Sequence, residues 1–214
     1  MRPAHAATTI VGSDFRAGFS AKMSPIRILV VIATAAVLGI GSAWLAVVGG
    51  FGFEAIRSGP WTAWPTAGSP DADPYVRARI ARSGEIPMPA GEGIVFVARE
   101  DSDGEALTAD CDYHVRGQTP AAQWWTLTVY RDDDLTLMAN PAQRYGFVST
   151  GILRAGDGRF DITLSSRARP GNWLPVDPHA GRLRLVFRFY DTPIATGGSV
   201  ADIAMPAIVK GACR

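Results

Sequence analysis

Two hydrophobic patterns divide this chain. From Ile28 to Phe53 no charged residue occurs, whereas beyond residue 94 apolar and polar positions alternate in twos. The first pattern predicts a membrane-spanning helix over 28–53. Its central 23 residues, 28–50, would extend roughly 34 Å as a helix, enough for a hydrocarbon layer of about 30 Å with some tilt. Only a segment that satisfies its own backbone can cross lipid alone, and Ala, Val, Ile and Leu form that hydrogen-bond ladder readily. Trp44, Phe51 and Phe53 sit near its far end, where aromatic rings favour the interface. A buried soluble helix of this length would ordinarily carry at least one charge.

The second pattern predicts strands. Residues 94–97 are a continuous apolar run, and in 111–116 Cys111, Tyr113 and Val115 oppose Asp112, His114 and Arg116. In 124–130, Trp125, Leu127 and Val129 oppose Trp124, Thr126, Thr128 and Tyr130. Strands over 144–149, 159–164 and 183–190 follow, the last with Leu183, Leu185, Phe187 and Phe189 on one face and Arg184, Val186, Arg188 and Tyr190 on the other. Such strands, separated by Gly, Pro and Asp turns, predict a mainly β, antiparallel, jelly-roll-like sandwich. One short helix precedes it: Asp73-Pro74 supplies a cap and a first-turn proline, and Gly84 a stop, so 74–83 is helical with Val76 and Ile80 as its apolar stripe. Arg77, Arg79 and Arg82 are expected on its solvated face. Between the two patterns, Gly59-Pro60-Trp61, Trp64-Pro65 and Gly68-Ser69-Pro70 predict an irregular juxtamembrane linker over 54–72. The expected organisation is therefore 1–27 cytoplasmic, 28–53 transmembrane, 54–72 linker and 73–214 a periplasmic β-sandwich.

Charge sets that orientation. Arg2, Arg16, Lys22 and Arg27 against Asp14 give +3 before the apolar run, which keeps this end in the cytoplasm. Ser42-Ala43-Trp44-Leu45-Ala46 is a poor cleavage match, so an uncleaved anchor is expected over a signal peptide. Met23 is an alternative start. Residues 54–214 carry 17 Lys and Arg against 19 Asp and Glu, leaving no basic footprint for nucleic acid. The two cysteines, Cys111 and Cys213, fall on the side expected to be oxidising, so a disulfide is predicted. It would close a loop of about a hundred residues and stabilise by up to ~5 kcal/mol in the chain-entropy model.

Candidate chemistry is sparse. Asp112, His114 and Arg116 share a strand face, which could orient a base beside a carboxylate and a cation; the solvated face of a half-buried strand has the same composition. Asp101-Ser102-Asp103-Gly104-Glu105 invites a calcium reading, but its twelfth position is Asp112 where a helix-loop-helix site needs Glu. The His and Cys spacing is not that of a zinc site, and neither a Gly-x-Ser-x-Gly elbow nor a phosphate loop occurs. No metal and no cofactor are expected. Trp124, Trp125, Tyr130, Trp173 and Tyr190 could line a groove for a saccharide or amphipathic ligand, or fill the core.

Taken together, Asp73-Pro74-Tyr75-Val76-Arg77-Ala78, Ala98-Arg99-Glu100-Asp101, Trp124 to Tyr130, Asn140 to Tyr145, Asn172-Trp173-Leu174-Pro175 and Arg188-Phe189-Tyr190 resemble the bacterial family named domain of unknown function 1214. The resemblance covers most of 73–200 and implies a β-sandwich, often the second half of larger exported proteins; it implies no activity and no catalytic residue. Two accounts of its marked positions stand open. In one, Asn172 bonds local backbone, Pro175 stiffens a loop and Trp173 plugs one end of the sandwich. In the other, Asn172, Arg144 and Arg188 converge on an anionic group, with Trp124 and Trp173 beside it.

The expected function is that of a single-pass inner-membrane envelope protein whose periplasmic domain is a binding or structural module. Its partners would be the lipid bilayer and an envelope protein or small periplasmic ligand. The alternative is a periplasmic hydrolase or isomerase with His114, Asp112 and an arginine as active groups. A third reading makes the chain a subunit of an envelope complex, with Gly39, Gly41, Ser42 and Ala43 as a close-packing surface.

Overall fold

The computed structural model describes residues 24–49, 55–89, 91–196 and 203–214. The expectations for the N-terminal flank up to residue 23 and for Phe51 and Phe53 lie outside these residues. Pro25–Gly49 form helix α1, which starts three residues before the apolar run because proline is well tolerated in a first helical turn. Its segment Pro25–Val48 is long and apolar enough to cross a membrane, and none of that window is buried.

The remainder is built on two sheets. Strands β1 (Ile56–Ser58), β2 (Trp61–Ala63), β3 (Gly93–Ala98), β5 (Trp124–Arg131), β6 (Gly146–Val148) and β9 (Leu183–Tyr190) form an antiparallel sheet in the order β1-β2-β3-β9-β5-β6. Strands β4 (Cys111–Gly117), β7 (Phe160–Ser165), β8 (Asn172–Pro175) and β10 (Ala207–Cys213) form the second, in the order β10-β4-β7-β8. Between β2 and β3 lies helix α2 (Pro74–Ser83). Asp73 accepts a 2.7 Å bond from the Tyr75 N–H, and Gly84, at φ 68°, donates its N–H to the Ile80 carbonyl. The cap and stop residues of the sequence thus act as expected.

The core lies where the alternation points. Strand β9 pairs with β3 through Phe96↔Phe187 and with β5 through Leu127↔Phe187, so Leu183, Leu185, Phe187 and Phe189 are buried against Tyr113, Val115, Ile162 and Leu164 of the other sheet. Phe187 is the aromatic hub: Trp61 meets it edge-on at 5.4 Å, Trp125 at 4.9 Å, and Phe189 stacks on it at 4.7 Å. Cys111 and Cys213 form a disulfide across the paired strands β4 and β10.

Two expectations need correction. The 54–72 segment is not simply a linker: it supplies β1 and β2, and Trp61 is fully buried with its indole N–H donating to the Pro206 carbonyl at 2.7 Å. Gly59 at φ 56° makes the tight turn between those strands, so glycine and proline here mark a hairpin rather than an irregular path. The second sheet is also not wholly antiparallel, because β8 runs parallel to β7 with Ile162 opposite Asn172. The connection doubles back through Gly171 at φ 82°. It is fixed by the Asn172 amide donating to the Asp161 carbonyl and the Trp173 indole donating to the Ser165 carbonyl. Trp173 is accordingly half-buried on a sheet-edge strand.

Trp61→Ala is expected to lower unfolding stability by about 3–5 kcal/mol, the cost of emptying a large aromatic site, and Trp61→Phe by clearly less. Equilibrium denaturation of the full chain in nanodiscs measures both.

Candidate functional site

The outward face of the larger sheet is covered, and the cover leaves a cavity. On that face β3 presents Val95 and Val97, β9 presents Arg184, Val186 and Arg188, and β5 presents Tyr130, as their alternation requires. Helix α2, the turn around Trp64 and the segment 84–88 lie over them and enclose about 270 Å³. That is slightly below the usual size of small-molecule sites. Two glycines allow the closure: a Cβ on Gly93 would lie 2.6 Å from the Met88 sulfur, and one on Gly68 would lie 2.2 Å from the Met88 carbonyl oxygen.

The cavity wall is apolar with an excess of positive charge. Ile80, Met88, Val95, Val97 and Val186 supply its apolar part, and Ile86 stands at the rim almost fully exposed. Arg184 is buried and neutralised, its guanidinium donating to Glu85 and to Asp132 at 2.5 Å each, while Arg99 donates to the same Asp132 oxygen at 3.0 Å. Arg79 is different. Its guanidinium lies 3.6 Å from the centroid of the Trp64 ring, in cation–π contact, and its Nε–H is buried without a hydrogen-bond partner, as is the Trp64 indole N–H. Burial pushes the Arg79 pKa down, with Arg99 and Arg184 adding to the fall and Glu85 opposing it. The group nonetheless stays charged at neutral pH, as arginine does in proteins. It is thus no part of a freely solvated face. Arg188, half-buried on β9, makes no ion pair or hydrogen bond among the described residues. Two guanidinium groups, Arg79 and Arg188, and one carboxylate, Glu85, line the cavity, and Glu85 is tied through Arg184 to Asp132 and Arg99 behind it.

The residues singled out from sequence do not converge on one place. Arg188 lines the cavity. Asp112, His114 and Asn172 belong to the smaller sheet, beside a broad open depression of about 740 Å³ bordered by Arg116, Arg154, Asp161, Thr163 and Asn172. Arg144 and Trp173 meet where β6 and β8 lie at the sheet edges, Arg144 donating to the Trp173 carbonyl at 2.9 Å. Asn172, Arg144 and Arg188 therefore do not meet at one anion. Asn172 is a clamp: it accepts from the Leu153 N–H and donates to the Leu153 and Asp161 carbonyls.

His114 also has a different partner from the one its strand suggested. Its Nδ1 lies 3.0 Å from Asp161 Oδ1 and 3.4 Å from Thr163 Oγ1, both on β7, and Arg116 approaches the other Asp161 oxygen at 3.6 Å. Asp112 instead accepts from Arg169 at 2.6 Å. Thr163 stands directly opposite His114 and Asp161 opposite Arg116, so Asp161 is the diagonal cross-strand neighbour that the imidazole reaches, while Arg169 takes up Asp112. Trp124 stacks on Tyr190 at 3.8 Å and remains exposed, away from the cavity. In the 101–105 turn, Asp101 accepts from the N–H groups of Asp103 and Glu105, capping its own backbone. Among the described residues no His, Cys, Asp and Glu cluster is placed to hold a metal ion.

Arg79, Trp64 and the cavity itself were missed in the sequence. The signal for a covered outer face was the unbroken apolar run of β3, since a strand buried on both faces loses its alternation.

Residues 92–194 match the family model described as "Protein of unknown function (DUF1214)", in agreement with the resemblance read from the motifs. The match contains Arg188 and begins after Trp64 and α2. No curated protein matches the chain. Among solved structures, it is similar to the VPA0106 protein from Vibrio parahaemolyticus, at 24% identity and a TM-score of 0.54, covering 66% of this chain and 36% of that one. It is also similar to an uncharacterized protein from Burkholderia cenocepacia, at 18% identity and a TM-score of 0.39, covering 84% of this chain and 52% of that one. The chain thus spans about a third and about half of the length of these two. The first likeness supports the β-rich fold and nothing beyond it.

Asp112 generates a pH expectation. Burial would raise its carboxyl pKa, but hydrogen bonds from Ser165 and Arg169, with the charges of Arg169 and Arg214, hold it below the ordinary 3.8. Its contribution to stability is therefore full above the unfolded value and fades as pH falls through the lower folded one. Asp112→Asn should lose less stability than the parent on going from neutral pH to below 3.8, measured by urea unfolding across that range.

Proposed function

We propose that this chain, whose residues 92–194 belong to a family of unknown function, is a single-pass inner-membrane protein with a periplasmic β-rich domain. That domain acts as a binding module rather than as an enzyme. The observation that carries the binding reading is the cavity, partly open to solvent, on the larger sheet. Its wall offers cations, aromatic rings and apolar surface, and its one carboxylate among the described residues, Glu85, is already bonded to Arg184. Such groups hold a ligand; they do not form a nucleophile with its base.

The location rests on separate support. Helix α1 has the length and composition of a membrane span, Arg27 in its first turn and the cations before it favour a cytoplasmic N-terminal side, and the Cys111–Cys213 disulfide suits an oxidising compartment. The domain boundaries proposed are those of the sequence, with the strands β1 and β2 now assigned to the folded domain.

One observation favours the enzyme reading as a second choice: His114 and Asp161, 3.0 Å apart, form a base oriented by a carboxylate beside an open depression. Both side chains are partly exposed, so the pair contributes at most about 1 kcal/mol and is screened by salt. His114→Ala is expected to leave the thermal midpoint nearly unchanged and to abolish no envelope activity; loss of an activity with an unchanged midpoint would move the assignment to catalysis.

For the location, the protein should stay in the membrane pellet after alkaline carbonate washing, and a C-terminal alkaline phosphatase fusion should be active. Release into the supernatant, or an inactive fusion at full expression, contradicts the anchor or its orientation.

A further inference from the structure

We infer that the cavity beneath α2 is a site for a small amphipathic anion, one carboxylate or phosphate group on an apolar body, held by Arg79, Trp64 and Arg188. This rests on the binding-module reading and names its ligand class.

Three features converge on that chemistry. The first is orphaned donors. The Arg79 Nε–H and the Trp64 indole N–H are both buried and unpartnered, and both residues line the same cavity. A buried donor left unpaired is costly, and native folds rarely keep two in one place unless an acceptor completes them. Both are donors closed to water, so what completes them is an acceptor admitted by a small shift of the two side chains, and beside a guanidinium the acceptor that gains most is anionic oxygen.

The second feature is uncompensated charge on facing walls. Arg79 comes from the helix and Arg188 from the sheet, and neither has an ion-pair partner among the described residues. The local carboxylates are committed elsewhere: Glu85 to Arg184, and Asp132 to both Arg184 and Arg99. Arg184, on the same strand and four residues from Arg188, shows what a structural arginine looks like here, because both of its carboxylate partners are in place. Arg188 is set toward the same cavity with no such partner.

The third feature is the rest of the wall. Apart from the Tyr130 hydroxyl and Glu85, which is committed to Arg184, it is apolar: Ile80, Met88, Val95, Val97 and Val186 offer no hydrogen bond from their side chains, so most of the remaining ligand surface is apolar. A volume of about 270 Å³ limits that body to a short chain or a single ring. Ile86, 90% exposed at the rim, is placed where a longer apolar tail would leave the cavity.

The test uses the full chain in nanodiscs of zwitterionic lipid, titrated calorimetrically with hexanoate, hexyl phosphate, 1-hexanol and hexylamine, against empty nanodiscs. Saturable binding is expected for at least one of the two anions, and at least tenfold weaker binding for the alcohol and the amine. The stronger of hexanoate and hexyl phosphate tells a carboxylate ligand from a phosphate-headed one. Arg188→Gln and Arg79→Met should each weaken the anion by about tenfold or more, the scale of a charged hydrogen bond. In the unliganded protein Arg188→Gln should keep or raise the thermal midpoint, since it removes an uncompensated charge, and Arg79→Met should change it little, the lost stacking on Trp64 offsetting the removed charge. Equal binding of 1-hexanol and the anions overturns the anion inference and leaves a binding module in place. Saturable binding by none of the probes, or anion binding unchanged in both variants, also overturns it. A midpoint that falls sharply in both variants assigns the two arginines to the fold instead. The anchor and periplasmic location are decided independently by the carbonate and fusion experiments.

Discussion

The rest of the domain depends on the two-residue period of β9. This strand lies between β3 and β5 at the centre of the larger sheet, and every second side chain, Leu183, Leu185, Phe187 and Phe189, is at most 1% exposed. A slip of one residue would send Arg184 and Arg188 into the hydrocarbon of the core and put the phenylalanines outside. Among the described residues the core cluster holds no carboxylate to receive them, so the register is strongly specified. Because β9 is fixed, its partners are fixed: Phe96 and Leu127 must flank Phe187, and Trp61 then closes the edge of the same cluster.

The same period sets the chemistry of the opposite face. With Arg184 and Arg188 obliged to point outward, the fold had to cover or solvate them, and α2 with the segment 84–88 covers the sheet there. Arg184 is met by Glu85 from the cover and Asp132 from the turn after β5. Burying a charge with two hydrogen-bonded partners is tolerable, while burying it alone is not. Arg188, less deeply placed, is left to face the cavity together with Arg79 stacked on Trp64. The cover that shields one arginine is thus what builds the wall that presents the other two.

The strands and the short helix were legible because they depend on local rules: alternation for β4, β5 and β9, and the Asp73–Pro74 start and Gly84 stop for α2. The disulfide was legible because only two cysteines exist. What was hidden is non-local. Nothing near Trp61 in sequence reveals that Phe187 and Pro206 are its neighbours, so a hairpin reads as a linker. The parallel strand β8 is set by side-chain bonds from Asn172 and Trp173 to β7 backbone, which no period encodes. Arg79 reads as one of three solvated arginines on a helix, and only the fold brings Trp64 beneath it. His114 lost its nearest sequence carboxylate, Asp112, to Arg169 and gained Asp161 across the ladder.

The central claim is a division of labour between two arginines on one strand: Arg184 holds the fold together and Arg188 serves the cavity. Comparing the unfolding free energies of Arg184→Gln and Arg188→Gln in the unliganded full chain tests it most directly. The account predicts a loss of about 2–3 kcal/mol for Arg184→Gln, below the full cost of breaking a buried pair because Glu85 and Asp132 are only partly buried and Asp132 keeps Arg99, and little or no loss for Arg188→Gln. Equal losses in both variants, or a larger loss at Arg188, would contradict it.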